Sequence, residues 1–243
     1  MSSLGPIVVL LNPLKDEKGW FMDTGFSFAQ LSLFLSDRWG EIINLTVQHI
    51  TVVAISLVIA LIVGVAIGVG VWNKPISRAT ALAAAGIAIT IPSLALLALL
   101  SPLLGLGWGP TIVALVFYSL LPIIRNTVVG LREVPAGVLE SARGMGMSRA
   151  RVMLTTQLPI AWPVIITGVR VAAQLTIGIA AIAAYVAGPG LGQYIFTGLS
   201  SIGSRNAINY ALVGTVLVIV LALLVDGAFV FITRFTTSRG LRG

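Results

Sequence analysis

The chain has 243 residues, 57% of them hydrophobic and only 9% charged, with a mean hydropathy of +1.03. A soluble domain carries roughly 25% charged residues, and a chain of this length must still cover its surface, so the shortfall excludes an ordinary soluble protein and points to a polytopic membrane protein. Having no cysteine, the chain is excluded from disulfide, thiol and cysteine-metal chemistry, and its single histidine, His49, argues against a histidine-built metal centre. The formal charge of +7 comes without a dense Lys/Arg run interleaved with aromatics, so it fits basic membrane-flanking loops and not nucleic acid.

Residues 1–40 form an N-terminal extracytoplasmic tail or interfacial segment. Pro6, Pro13, Gly19 and Gly25 interrupt every apolar run, and Lys15, Asp16, Glu17 and Lys18 make a solvated charge cluster. The apolar run at 7–11 is too short for a cleavable signal and no basic region precedes it. Phe21, Phe26, Phe28, Leu31, Leu33, Phe34 and Leu35 suit an interfacial helix with Trp20 and Trp39 near the headgroups, or equally a short tail folded over the core.

Five apolar spans follow, at about 46–72, 79–104, 111–131, 160–187 and 209–233. Each has at least ~20 residues, enough to cross ~30 Å of hydrocarbon at 1.5 Å per residue. Backbone groups in lipid must be satisfied internally, which makes these spans helices. Pro92, Pro102, Pro122 and Pro163 then predict kinks, because neighbouring helices satisfy the freed carbonyls. The fold class is an all-α polytopic membrane protein.

Charge sets the expected orientation. One set of loops holds Lys74, Arg78, Arg132, Arg143, Arg149, Arg151, Arg234, Arg239 and Arg242. The other holds Lys15, Lys18, Arg38 and Arg205, offset by Asp16, Glu17, Asp23, Asp37 and Glu41. The first set is predicted cytoplasmic, which puts the N-terminus outside and the 132–159 loop and C-terminus inside.

That loop is polar and glycine-punctuated. Residues 135–143 predict a short helix. Gly144 and Gly146 permit φ > 0 and a sharp turn, and Ser148 is a suitable N-cap for a second short helix over 148–154. Leu158, preceding Pro159, is expected to leave the helical region and end it before the fourth span.

The order Glu140, Ser141, Ala142, then Gly146, then Leu158 and Pro159 resembles the E-A-A-x-x-x-G-x9-I-x-L-P loop of ABC importer permeases. Ser141 stands where that pattern has Ala, and Thr156 where it has Ile. Residues 90–97, 118–127, 140–148 and 187–198 look like the permeases of osmoprotectant importers, with Pro189 departing from a more usual all-glycine run. The resemblance covers about 41–235; amino-acid and methionine permeases share the plan. It implies a type I importer transmembrane domain over 41–243, in the bacterial cytoplasmic membrane, with a cytoplasmic coupling helix inside 132–159. Glu140, Ser141, Ala142, Gly144, Gly146, Leu158 and Pro159 would couple it to ATPase subunits, Glu140 by capping or by pairing with an Arg. The implied partners are those ATPases, a second permease copy or paralogue, and an extracellular solute-binding protein. The chain holds no cofactor; ATP and Mg belong to the ATPase, since no G-x4-G-K-[ST] loop occurs here. The implied function is uptake of glycine betaine, choline, carnitine or related quaternary amines by alternating access. The alternatives are an amino-acid or methionine permease, a secondary transporter, or a scaffold. A membrane enzyme finds no catalytic constellation, and five spans do not divide into the equal repeats of a secondary transporter.

Several polar residues fall within spans. Arg125 lies near the cytoplasmic end of its span and suits snorkelling. Arg170 lies deeper and should face protein or water. Asp226 is expected to find an Arg or polar partner, as a structural pair or a substrate site. Tyr118 and Tyr185 would offer cation–π faces to a quaternary ammonium. His49 is expected at the outer membrane interface. Ala60, Gly64 and Gly68 form a small-residue stripe that fits helix packing within the subunit or between subunits. Residues 188–192 predict a tight turn that lets a short helix, 193–199, line the outer mouth.

Overall fold

The computed structural model describes residues 27–236. The charge cluster at 15–18, Trp20, Phe21, Phe26, Arg239 and Arg242 lie outside the described residues. Every regular element among those described is helical: α1 (Phe28–Asp37), α2 (Trp39–Val71), α3 (Pro75–Thr90), α4 (Ser93–Leu104), α5 (Trp108–Arg132), α6 (Ala136–Gly144), α7 (Arg149–Val152), α8 (Leu158–Ile182), α9 (Gly192–Ser200) and α10 (Ala207–Thr236). A π turn, Met153–Gln157, joins α7 to α8, and a 3-10 turn, Ala183–Val186, ends α8.

Four stretches are long and apolar enough to cross a membrane: Trp39–Val71, Trp108–Arg132, Arg149–Val186 and Ala207–Phe235. The fifth expected span is α3 and α4 together, bent by 94° at the break between them. The expectation of a kink at Pro92 is therefore corrected: the chain breaks there. Ile91 takes an extended ψ of 127°, as the clash with the following proline ring favours. Pro122 and Pro163 stay inside continuous helices. At the break, the Tyr118 hydroxyl donates to the Ile91 carbonyl, so a side chain from α5 anchors the end of α3.

The first span starts earlier than its apolar core, at Trp39. Glu41 in its first turn complements the positive end of the helix and accepts from Arg38 Nη1 at 2.9 Å. The fourth span is also longer than expected. Leu158 keeps helical angles (φ −63°, ψ −45°) and its N–H bonds to the Met153 carbonyl, five residues back. The π register absorbs the missing N–H of Pro159, so the helix runs unbroken from Arg149 to Val186; the predicted break at Leu158 is corrected.

α5 is the centre of the bundle, packed between α2 and α8. The stripe on α2 serves contacts within the chain: a Cβ on Gly64 would lie 2.7 Å from Ile123 Cγ2, and one on Gly68 2.6 Å from Thr127 Cγ2. Ala60 is fully buried in a cluster with Ile123, Val169 and Ala172. On α8, a Cβ on Gly168 would meet the Pro122 carbonyl oxygen at 2.7 Å, a backbone atom that cannot rotate away.

His49 is fully buried, which corrects its expected interfacial position. Its Nε2 lies 3.2 Å from the Ile177 carbonyl. The turn before α9 folds over it: Gly190 has φ +112°, and a Cβ there would fall 2.8 Å from His49 Cβ. The turn and short helix at 188–199 thus exist as expected, and the turn packs against α2 at His49.

Gly168→Leu should destabilise the fold by about 1–3 kcal/mol through overpacking. The check is the melting temperature of the detergent-purified protein. An unchanged value would mean that α5 and α8 do not approach this closely.

Candidate functional site

The 132–159 loop projects from one end of the bundle as a short helix held at three points. At its tip, Gly146 takes φ +79°. Its N–H bonds the Arg143 carbonyl at 2.9 Å, and the Met147 N–H bonds the Ala142 carbonyl at 3.3 Å. This pair of bonds is the Schellman arrangement, which needs a residue without a Cβ penalty at the left-handed position. Gly144, expected to share in the turn, is the last helical residue of α6, so Gly146 alone supplies the positive φ. Ser148 caps α7 as expected, accepting from the Arg151 N–H at 3.4 Å. At the base, buried Gln157 donates from Nε2 to the Leu131 carbonyl at 3.0 Å. That carbonyl is in the last turn of α5 and has no intrahelical donor. The bond ties the two ends of the loop together; Gln157 was missed in the sequence because it occupies a variable position of the pattern.

α6 has two unlike faces. Ala142 is buried, with Val134 and Val152 also buried at the loop's root. Gly137, Glu140, Ser141 and Gly144 are exposed. A Cβ added at Gly137, Gly144 or Gly146 would meet nothing within 4 Å. Gly137 and Gly144 therefore weaken the helix by up to ~1 kcal/mol each relative to Ala without serving any contact inside the described chain. A partner that approaches the helix closely gives them a use. Glu140 is exposed and forms no cap or ion pair among the described residues, contrary to the expected internal pairing. The loop's Arg132, Arg143, Arg149 and Arg151 are exposed too. So are the apolar side chains of Met145 (70%), Leu154 (66%) and, less fully, Val138. The candidate coupling residues Glu140, Ser141, Ala142, Gly144 and Gly146 thus lie on one projecting element, with Leu158 and Pro159 in the helix that carries it into the bundle.

The membrane-level candidates separate into different places. Arg170 and Asp226 form a bidentate pair: Nε to Oδ1 and Nη2 to Oδ2, both 2.6 Å. Gln174 adds a donor to Asp226 Oδ1 at 3.1 Å and reaches the Ala222 carbonyl at 3.3 Å. Gln174 follows Arg170 by four residues, so helical spacing alone puts both on one face. The expected partner of Asp226 is therefore present, and it joins α8 to α10. Tyr118 is buried, its hydroxyl committed to the α3–α4 break. Tyr185 is exposed beside Phe196, with ring centroids 5.9 Å apart. Arg125 is exposed on α5 and makes no ion pair among the described residues.

The described residues thus form a bundle of apolar, membrane-length helices with one short helix projecting from its end. Residues 56–238 match the family of binding-protein-dependent transport system inner membrane components, and the chain belongs to that family. It is similar to the choline transport system permease protein OpuBB of Bacillus subtilis, at 39% identity over 86% of this chain and 94% of that protein. It is similar also to the glycine betaine/carnitine/choline permease OpuCB of Bacillus subtilis, at 37% over 88% and 97%, and to the osmoprotectant import permease OsmW of Salmonella typhimurium, at 35% over 86% and 98%. In fold it resembles a chain of the inward-facing MetNI methionine ABC transporter, with a TM-score of 0.69, 22% identity and coverage of 88% and 100%. A chain of an amino-acid ABC transporter gives a TM-score of 0.67 at 18% identity, covering 83% and 97%. The protein is thus a multi-pass inner-membrane permease subunit with the type I ABC importer transmembrane fold.

Asp226→Asn should lower thermal stability and yield by leaving Arg170, half-buried between α8 and α10 at span depth, without its charged partner. The exchange Arg170→Asp with Asp226→Arg should recover part of the loss. Equal melting temperatures for wild type and Asp226→Asn would show that the pair does not hold α8 to α10.

Proposed function

We propose that this subunit imports quaternary-amine osmoprotectants, such as glycine betaine, choline or carnitine, driven by ATP hydrolysed on partner subunits. The single observation that carries the coupling role is the outward face of α6. Exposed glycines with open space above them and an unpaired Glu140 serve no internal purpose, and both suit a helix seated in the groove of another protein. The solute class rests on the similarity to choline, glycine betaine and carnitine permeases over nearly the whole length of each.

The basic loops, including 132–159, lie on the cytoplasmic side in this reading, with the N-terminus outside and the C-terminus inside. Two ATPase subunits engage α6 of this chain and of a second permease, either another copy or a paralogue. When ATP draws the ATPases together, the motion enters at α6. It passes through the Gln157–Leu131 tie and the unbroken Arg149–Val186 helix, about 57 Å long at 1.5 Å per residue. A continuous helix transmits displacement where a flexible joint would absorb it. α10 follows α8 because the Arg170, Gln174 and Asp226 network couples them. An external binding protein delivers the solute to the opened outer side, and hydrolysis resets the cycle. No step requires a nucleotide, metal or nucleophile held by this chain.

Labelled glycine betaine, with choline as competitor, should enter proteoliposomes that contain this chain, its ATPase and its binding protein, and only when ATP is supplied. ATP-dependent uptake of other solutes but not of these would keep the permease and discard the osmoprotectant. The double variant Glu140→Ala with Gly146→Val should insert normally and retain ATPase activity while losing most uptake. Uptake at the wild-type rate in that variant would remove α6 from the coupling role.

A further inference from the structure

We infer that Arg125 stands in water on the route of the solute and is the counter-charge for a carboxylate that the solute carries. The inference rests on the permease reading, and its carboxylate part on the quaternary-amine reading. Three sides of α5 are covered by the chain. Ile123 and Thr127 meet Gly64 and Gly68 of α2, Pro122 and Asn126 meet Gly168 of α8, and Ile124 and Val128 cluster with Ala85 of α3. Arg125 is two residues from both Ile123 and Thr127, about 200° around the helix at 3.6 residues per turn, so it lies on the side turned away from α2. Its side chain is exposed and forms no hydrogen bond or ion pair among the described residues.

That side continues onto α8, which turns Val169 and Ala172 to Ala60 of α2 and leaves Thr167, Val171, Leu175 and Gly178 bare. It exposes apolar side chains too, Phe117 and Val129 of α5 among them, so hydrophobicity does not identify what covers it. Charge does. The Arg170–Asp226 pair borders this face, since Arg170 is one turn from Thr167 and its neighbour Gln174 one turn from Gly178. The pair is left 40% and 34% exposed. Arg170 lies about 18 Å along α8 from Leu158, and Asp226 about 15 Å along α10 from Thr236, at 1.5 Å per residue. Charged groups at such depth face protein or water, not lipid. α2, whose exposed face carries Val58, Ile59 and Ile62, has no charged residue from Ile42 to Val71.

The balance of charge chooses between protein and water. Asp226 is committed: Oδ1 accepts from Arg170 Nε and Gln174 Nε2, and Oδ2 from Arg170 Nη2. Of Arg125, Arg170 and Asp226, Arg125 is therefore the charge left over among the described residues. A second copy laid on this face brings the same surplus, which would put unmatched guanidiniums into a dry contact. Water, with an anionic group that comes and goes, meets the surplus without that penalty. A guanidinium holds a carboxylate through two parallel N–H groups. Glycine betaine and carnitine carry a carboxylate beside the quaternary ammonium, and choline carries a hydroxyl instead. Arg125 thus separates the zwitterionic solutes from the purely cationic one.

The first readout is uptake by the full permease–ATPase assembly, with its binding protein, in proteoliposomes. Arg125→Gln should lower ATP-driven uptake of glycine betaine and carnitine roughly tenfold relative to choline, and Arg125→Lys should recover part of that ratio. Loss of all three solutes in equal measure, or an unchanged ratio, would mean a structural role and overturn the inference. The second readout does not depend on the solute. The native chain has no cysteine, so each introduced cysteine is its only thiol. Val129→Cys, one turn from Arg125 on the same face, and the loop control Ile202→Cys would be treated with anionic sulfonatoethyl or cationic trimethylammonium-ethyl methanethiosulfonate. Both reagents are supplied on both sides of the membrane, without nucleotide and with ATP trapped. At Val129→Cys the anionic reagent should be favoured roughly threefold more with Arg125 present than with Arg125→Gln. A Val129→Cys that reacts with neither reagent in any state, with Ile202→Cys reactive, would overturn the inference, because lipid or protein and not water would then cover the face. A wild type that moves choline but neither zwitterion would keep the osmoprotectant reading and overturn the carboxylate pairing. One that moves none of the three would discard the osmoprotectant reading, and the reagent ratio would then decide the place of Arg125 by itself.

Discussion

A bilayer offers the backbone no water, so each N–H and C=O at membrane depth needs a partner from the protein. Most of this chain meets the demand with continuous helix. Its informative places are those where continuous helix fails. At the break before Pro92 the Tyr118 hydroxyl donates to the Ile91 carbonyl. At Pro159 a π turn shifts the register and keeps the helix going. At the end of α5 a buried glutamine supplies a donor to Leu131. Two of these solutions use another element, Tyr118 reaching Ile91 and Gln157 reaching Leu131, so bonds that satisfy the backbone also tie elements together.

Glycine serves two opposite purposes here, and the surroundings tell them apart. Gly64, Gly68 and Gly168 bring α2 and α8 against α5 at distances that no side chain would allow. Gly137 and Gly144 have only open space around them. The first group makes the bundle stiff. The second leaves one face of α6 bare within the described chain. Between the two runs a single long helix, Arg149–Val186. The ion pair of Arg170 with Asp226 extends that rigid unit to α10, and its bidentate geometry gives direction as well as strength.

Much of this was legible in the residues. Long apolar runs, few charges and uneven Lys/Arg placement define spans and loops, because hydrocarbon thickness and backbone satisfaction leave few options. Glu140, Gly146 and Pro159 marked the projecting loop by spacing, and Asp226 announced a partner because an unpaired carboxylate in a span is costly. Other features were not legible. The π turn left Leu158 helical, since a proline preference is local and weak beside the packing of two helices. His49 looked interfacial by its place in a span; only the fold of Gly190 over it shows its burial. Glu140 looked paired and forms no ion pair among the described residues.

What the sequence alone determined is therefore the kind of object: a helical membrane subunit with one polar projecting loop, since composition and periodicity act residue by residue and depend on no neighbour. What only the tertiary structure decided is which proline breaks a span, which glycines pack inward, and which Arg meets Asp226. Those outcomes depend on groups far apart in the chain, 26 residues in the Gln157–Leu131 bond and 56 in the Arg170–Asp226 bond. Their energy exists only once the helices are side by side.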